Sequence, residues 1–415
     1  MKTKNFKIIL NLERIKPILE FLDNPQNKFK IIHVAGTNGK GSICHMISSI
    51  LKTSGVKTAL YTSPHLINQY ERIKINNKPI SEFDFLSISK KISKILNQNK
   101  MFLTEFELKT AIAFYYFAKN KVEIAVVETG LGGRFDATNI CKNKIICVIT
   151  SISFDHTEYL GNTLEEIALE KAGIIKKNRP LVLYPNQENS IIKIITQKCN
   201  ELNCELIIPD KNLIIVKENL LNDNNTIFEY KNLKLELPLL GDHQTWNLLT
   251  ALNVIEILKK TRKISDQDIQ IGLKNISLHS RFEVLSRNPF FILDGAHNPG
   301  GSIILSECLK KFFYNKNLIA IFGVMKDKDI DGILKPIYKY FKKIFTTEVN
   351  NSRAMRSNKL SEIVRNFIPN TVSTKNVAEA IDFVFKEKNY DACIIFGSLY
   401  LAKEIFNHKK FKILP

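Results

Sequence analysis

The stretch KIIHVAGTNGKGS, Lys30 to Ser42, decides the fold. Its first half, KIIHVA, is an apolar run of strand length. SICHMISSILKTSG, which begins at Ser42, has the length of a helix and a stop at Gly55. Between them lies GTNGKG, Gly36 to Gly41. Three glycines there let the backbone approach phosphates and turn several N–H groups toward them, at a helix N-terminus whose dipole favours anions. Lys40 adds a point charge suited to β- and γ-phosphates. The stretch nevertheless departs from G-x-x-x-x-G-K-[ST] at two positions: Val34 stands where the first glycine belongs, and Gly41 follows Lys40 in place of a hydroxyl residue. That hydroxyl normally ligates Mg²⁺, so the metal must be held from elsewhere.

Three further segments supply candidates. VEIAVVETGLGGRFDATN puts Glu128 at the end of an apolar strand, where α/β sheets gather their ligand sites and where a hard oxygen donor suits Mg²⁺. VITSISFDHTEYLG places His156 after another buried strand. A single histidine is ordinarily structural, but its place beside a nucleotide loop favours a ligand. YTSPHL offers Ser63 at a third strand end. LEEIALEKAGIIKKN is helical, and on its own its Lys171 reads as a solvated lysine.

Around this loop, apolar strand-length runs alternate with amphipathic stretches (KTALYTS, VEIAVVET, KIICVITSIS, RPLVLYP, CELIIP), the pattern of a mostly parallel sheet covered by helices. Residues 206–240 break the rhythm with LIIVKEN and TIFEYKNLKLELPL, and read as a small antiparallel insertion within the first domain. A helix follows from about Gln244 to Lys260. The rhythm then restarts in FFILDGA, NLIAIFGV, KIFTTEV and DACIIFGSL. The expected fold is therefore an α/β phosphate-loop domain over residues 1–275 and a second, smaller Rossmann-like α/β domain over 276–415, divided near 272–280.

Composition narrows the function class. The chain has 415 residues, 44% hydrophobic and 24% charged, as in a globular protein. Its net charge of +19 comes mostly from dispersed lysines, without an arginine-rich block. An anionic substrate accounts for this better than nucleic acid does. The seven cysteines form no C-x-x-C pair and read as reduced cytosolic thiols. The N-terminal apolar run IIL is too short for a signal peptide, and no run reaches the roughly 18 apolar residues of a membrane span. A cytoplasmic monomer, without membrane or nucleic-acid partner, is expected.

Taken together, HVAGTNGKGS, TSPHL, ERIKINNKPI, LTEFE, VVETGLGGRFDATN, ITSISFDHTEYLGNTLEEIALEKAGIIK, LLGDHQTWNLLTAL, SRFE, DGAHNP and GSLYLA resemble the folylpolyglutamate synthase/dihydrofolate synthase family, relatives of the Mur peptidoglycan ligases. They run in family order from residue 33 to 402. Trp246 and Lys403 depart from the pattern, and neither falls on an inferred ligand. The resemblance implies ATP bound at the domain interface. Thr37, Asn38, Gly39, Lys40, Gly41 and Ser42 would cradle its phosphates. Ser63 and Glu128 would hold one Mg²⁺, and His156 with Glu128 a second. Lys171 would be carbamylated (N6-carboxylysine). Asn247 would lie near the base, Arg281 at the phosphates, Asp294 near ribose or phosphate, and His297 at the γ-phosphate.

LTEFE (Thr104, Glu105, Phe106, Glu107) and FDA (Phe135, Asp136, Ala137) match the segments that contact dihydropteroate, although a phenylalanine in an apolar segment is usually core. The implied reaction joins L-glutamate to a pteroate or folate carboxylate through an acyl phosphate, with Lys40, His156, Lys171, Arg281 and His297 as its catalytic groups. 7,8-Dihydropteroate, reduced folates, L-glutamate and ATP are the implied substrates. The enzyme would be bifunctional; a monofunctional folylpolyglutamate synthase, or a Mur-type amino-acid ligase, is the alternative. Arg353 in NNSRAM and the run KDKD (326–329) are candidates for anchoring L-glutamate.

Overall fold

The computed structural model describes residues 11–411. They form two units: residues up to Ile214 with Trp246–Ile276, and Ile215–Thr245 with the chain from Ser277 onward.

The first unit is built on a sheet of eight strands. In chain order these are β1 (Lys30–Ala35), β2 (Thr58–Tyr61), β3 (Ile73–Ile75), β4 (Lys78–Pro79), β5 (Ile124–Glu128), β6 (Lys144–Ile149), β7 (Leu181–Leu183) and β8 (Leu206–Ile207). Across the sheet they run β4-β3-β2-β5-β1-β6-β7-β8. The six strands from β2 to β8 are parallel, and β3 and β4 form an antiparallel edge. The helices are α1 (Ile15–Phe21), α2 (Lys40–Thr53), α3 (Glu82–Gln98), α4 (Glu105–Lys119), α5 (Thr157–Leu160), α6 (Leu164–Ala172), α7 (Asn189–Glu201), α8 (His243–Lys259) and α9 (Asp266–Lys274).

Register sets the strand ends level. Val34 pairs with Glu128, Ala35 with Ile149, and Tyr61 with Val127. From β1 the chain turns one way to β2; from β5 it crosses to the other side of β1 to reach β6. This is the switch point at which open α/β sheets hold ligands. One face is closed by Tyr61, Phe114, Phe117, Ile92 and Val127, all fully buried.

Strands β9 (Ile214–Leu220), β10 (Asn225–Tyr230) and β11 (Leu233–Leu237) form a sheet of their own, and the six-stranded sheet of the second unit runs β12-β13-β17-β14-β15-β16. Here β12 is Glu283–Arg287, β13 Phe290–Leu293, β14 Leu318–Phe322, β15 Phe341–Thr346, β16 Thr371–Ser373 and β17 Ala392–Phe396. Within the six-stranded sheet only β12 is antiparallel to its neighbour. Its core includes Phe322 and Phe396, whose rings stack with centroids 4.7 Å apart.

The stretch read as an insertion of the first domain is the separate three-stranded sheet of β9, β10 and β11, and it groups with the second unit. The reason is packing. Leu240 is a member of the second unit's core and Leu221 lies against it, while Arg287 Nε donates to Asn222 O at 2.6 Å. Alternation along the sequence reports a strand's two faces but not the core that its apolar face joins.

A buried cation is set into the first unit. Lys144 opens β6 with no exposure, and its amine donates to Asn139 Oδ1 and, at 3.1 Å, to Ile174 O. Burial lowers its pKa from the ordinary 10.5 to about 7, and a neutral amine can still donate both bonds. The unfolded chain keeps this proton up to its ordinary value, whereas the native state releases it near 7. The cost of burial is therefore complete below that pH, and stability rises with pH across the window between the two values. Replacing Lys144 with Met should flatten the rise of the urea midpoint between about pH 7 and about pH 10. Parallel midpoint curves for the two proteins would refute the assignment.

Candidate functional site

The loop after β1 is shaped by two backbone positions. Gly36 has φ +150°, and a Cβ there would sit 1.7 Å from Thr150 Oγ1. Gly39 is left-handed at φ +86° immediately before α2, and a Cβ there would meet Asn247 Oδ1 at 2.5 Å. Asn247, expected near a nucleotide base, thus lies against the loop itself.

The loop is held from the end of β6 by a hydroxyl ladder. Thr150 Oγ1 and Ser151 Oγ donate to Asn38 O at 2.7 and 3.2 Å. Thr37 Oγ1 donates to Ser153 O at 3.0 Å and accepts from Ser153 N at 3.1 Å. Asn38 Nδ2 donates to Ser153 Oγ at 3.3 Å. Thr150, Ser151 and Ser153 went unremarked as site residues in the sequence, although the segment TSIS after an apolar strand carries the signal. Ser42 is buried in the first turn of α2, and Gly41 O lies 2.8 Å from His45 Nδ1.

Two amines converge on one carbonyl. Lys40 Nζ donates to Gly36 O at 3.1 Å and Thr37 O at 2.9 Å, and Lys171 Nζ donates to Gly36 O at 2.8 Å. Lys171 is not the solvated lysine its helix suggests, being only 3% exposed. Burial above all, then the charge of Lys40, pushes its pKa down to about 7, with Asp155 opposing. The end of α6 is fixed against the glycine turn that follows β5. A Cβ on Gly133 would lie 2.8 Å from the carbonyl oxygens of Glu170 and Lys171, and one on Gly173 would lie 2.4 Å from Arg134 Cα.

On the other side of β1, the main-chain N of Ser63 donates to Glu128 Oε2 at 3.1 Å, so the ends of β2 and β5 meet at a buried carboxylate. His156 stands one residue before α5 at φ 51°, with Nε2 3.9 Å from Asp155 Oδ1.

The segments expected to meet a flat heterocycle divide into two groups. Thr104 and Glu107 form the capping box of α4, and Glu107 also accepts Arg14 Nε at 3.0 and 3.1 Å. Glu105 pairs with Lys109. Asp136 is buried and accepts the N–H groups of Gly130 and Leu131 at 2.8 and 2.9 Å on one oxygen. Its other oxygen takes Thr138 N, at 3.0 Å, and Thr138 Oγ1. These carboxylates shape the chain. The aromatic side chains present surface: Phe106 is half-buried, 6.1 Å centroid to centroid from Tyr61, and Phe135 is 42% exposed with Arg134 5.9 Å from its ring centre, not a core residue. Ala137 is buried beside Asp136.

His33, fully buried in β1, extends this framework. Because Thr138 gives its proton to Asp136, its oxygen accepts from His33 Nε2 at 2.8 Å, which leaves Nδ1 unprotonated and without a partner. Burial keeps this ring neutral.

In the second unit, Arg281 lies between two residues of positive φ, Ser280 at 59° and Phe282 at 51°. Its Nη1 donates to Ser280 O at 3.0 Å. Asp294, half-buried just after β13, accepts Phe282 N at 2.8 Å and Ala296 N at 2.7 Å, and desolvation raises its pKa. Gly295 O lies 2.6 Å from His297 Nδ1. Asp294 thereby draws the SRFE and DGAHNP segments together. KDKD and NNSRAM are adjacent too: Lys326 N donates to Arg353 O at 2.9 Å, beside a bridge between Met325 and Ala354.

Comparison with known proteins gives this geometry a context. Residues 34–255 match the Mur ligase middle domain, and residues 280–399 match the Mur ligase glutamate ligase domain. The dihydrofolate synthetase of Saccharomyces cerevisiae is 33% identical over 96% of this chain and 97% of its own length. The dihydrofolate synthase/folylpolyglutamate synthase of Bacillus subtilis is 33% identical over 96% of this chain and 95% of its own. Among solved structures, Mycobacterium tuberculosis folylpolyglutamate synthase complexed with ADP and AMPPCP superposes with a TM-score of 0.88. It is 28% identical and covers 98% of this chain and 96% of its own. E. coli FolC in complex with DHPP and ADP gives 0.85 at 28% identity, over 98% and 94%.

Replacing Gly36 with Ala should lower stability by at least about 2 kcal/mol and weaken ADP binding, because both the left-handed backbone and Thr150 exclude the methyl group. Thermal unfolding with and without ADP checks both expectations.

Proposed function

The chain belongs to the dihydrofolate synthase/folylpolyglutamate synthase family of Mur ligases, and on that premise we propose that it is an ATP-dependent ligase joining L-glutamate to the carboxylate of a pteroate or folate. The observation that carries this reading is the glycine loop itself, with Lys40 and Lys171 on the Gly36 carbonyl and the Glu128–Ser63 pair at the ends of the neighbouring strands β5 and β2.

A carboxylate is a poor acyl donor because amine attack would have to expel oxide. Transfer of the γ-phosphoryl group from ATP onto a carboxylate oxygen gives an acyl phosphate and releases ADP. The amine of L-glutamate then attacks the acyl carbon, loses a proton, and phosphate leaves from the tetrahedral intermediate. The protein's part is positioning and charge stabilisation. In this reading the N–H groups of Thr37–Ser42 and the Lys40 amine receive the phosphates, with Asn247 near the base. Lys40 exchanges its loop carbonyls for phosphate oxygens, an exchange its flexible stem allows. Arg281, Asp294 and His297 of the second unit are assigned to nucleotide binding, Arg281 and His297 by way of phosphate.

The oxygen donors at the ends of β2 and β5 fit Mg²⁺, a hard cation that keeps water and phosphate ligands. Ser63 and Glu128 would hold one ion, and Glu128 with His156 a second. Among the described residues, no three His, Cys, Asp or Glu side chains gather into a metal site of their own, so an ion held here would need phosphate and water to complete its shell. Bound Mg²⁺ supplies neutralisation of charge on the phosphates.

Lys171 is proposed to carry a carbamate. Carbamylation needs a neutral amine, which burial provides near neutral pH, and the product is an anion beside Lys40. Phe106 and Phe135 are proposed to flank the heterocycle, on a surface shaped by Thr104, Glu105, Glu107, Asp136 and Ala137. Arg353 and the 326–329 loop are proposed to anchor L-glutamate. Both dihydropteroate and reduced folates are taken as acceptors. The enzyme is proposed to work as a cytoplasmic monomer without nucleic-acid or membrane partner; among the described residues, no helix is long and apolar enough to cross a membrane.

ADP release should require L-glutamate together with a pteroate or folate acceptor, and should stop when EDTA removes Mg²⁺. Lys40→Ala and Glu128→Ala should each lower turnover by about a hundredfold or more with an unchanged unfolding transition; near-normal turnover in either variant refutes the site. In ¹³C-bicarbonate, the active enzyme should show a carbamate carbon resonance that Lys171→Arg lacks. An active enzyme with an unmodified Lys171 amine refutes the carbamate.

A further inference from the structure

Arg72 has no part in the assignments above, yet its surroundings are those of a ligand-binding group. It ends a short helical turn, Gln69–Arg72, and its main-chain oxygen accepts Thr62 N at 3.0 Å, where β3 begins to pair with β2. The side chain is half-buried, and Nε donates to His65 Nδ1 at 3.0 Å. This is its one side-chain hydrogen bond among the described residues, and no carboxylate of theirs lies within ion-pair distance.

The nearby acids are engaged elsewhere. Glu71 accepts the N–H groups of Leu66, Ile67 and Asn68 at 2.8 to 3.2 Å, and Glu105 is paired with Lys109. Both Glu105 and Lys109 feel the charge of Arg72, which places it beside the start of α4. A half-buried guanidinium whose terminal nitrogens meet no carboxylate is costly, and its planar fork of donors matches one.

Position indicates which carboxylate. His65, which orients Arg72, is two residues from Ser63, a chain separation of at most about 7 Å. The cluster adjoins the end of β2 and the start of α4, and α4 carries Phe106, a ring assigned above to the acceptor side and packed 6.1 Å from Tyr61. Dihydropteroate has a single carboxylate, the one that reacts. A folate monoglutamate activated at its γ-carboxylate carries a second, the α-carboxylate, a few bonds from the reacting carbon.

We propose that Arg72, oriented by His65, binds the α-carboxylate of a glutamylated acceptor, and so separates the enzyme's second acceptor from its first. This rests on the ligase reading above. Steady-state rates of the full chain, with dihydropteroate and with a reduced folate monoglutamate as acceptors, test it in the unsubstituted enzyme, Arg72→Gln and Arg72→Lys. Arg72→Gln should raise KM for the folate monoglutamate by about tenfold to a hundredfold, leaving KM for dihydropteroate within about twofold. Arg72→Lys should recover part of the loss. Equal effects on both acceptors, no effect on either, or a rise confined to KM for L-glutamate would each overturn the proposal. So would an unsubstituted enzyme that turns over dihydropteroate but no folate monoglutamate. An unsubstituted enzyme without glutamate-dependent ADP release on either acceptor would instead defeat the ligase reading itself.

Discussion

Two lysine amines donate to the carbonyl oxygen of Gly36, and the local architecture follows from that shared acceptor. Two cations on one carbonyl repel each other, and burial with the charge of Lys40 makes Lys171 the one that gives up its proton. Lys40, half-buried at the start of α2, donates to this carbonyl and to Thr37 O. The same carbonyl thus holds the amine of a buried lysine and that of a half-buried one. The left-handed backbone of the loop and the hydroxyl ladder from Thr150 to Ser153 keep that carbonyl in place.

The carboxylates around the site do different work from the lysines. Glu107 and Asp136 accept hydrogen bonds from the chain around them, and each fixes a segment that ends in an aromatic ring or a helix start. Their burial is affordable because the acceptors are satisfied by N–H and O–H donors. His33 adds a third tier, passing a hydrogen bond through Thr138 to Asp136 and from there to the turn after Glu128.

Much of this was legible in the sequence. The strand, glycine turn and helix at Lys30–Thr53 stand where their sequence puts them, and Glu128 and Ser63, the oxygen donors read at two other strand ends, meet. Parallel strands were visible because each is a short apolar run between turn signals. Edge elements were not: β3, β4 and β12 are short or half-exposed, and each pairs antiparallel with a nearby strand, so no long apolar run marks it. The affiliation of the three-stranded sheet was hidden for a related reason, since Leu221 and Leu240 would read the same in either core. Lys171 shows the limit most clearly. A lysine on a helix looks solvated until the tertiary structure buries it.

The contact between Gly133, Gly173 and the end of α6 has a further consequence. Main chain there touches main chain, so the spacing between the Glu128 turn and the Lys171 helix is set by atoms that every amino acid shares. Side chains elsewhere on these two segments can diverge without altering that spacing, whereas any residue larger than glycine would wedge the segments apart. Sequence drift is therefore filtered by two missing methyl groups, and a search for distant members of this architecture could weigh those glycines above the charged groups they hold in register.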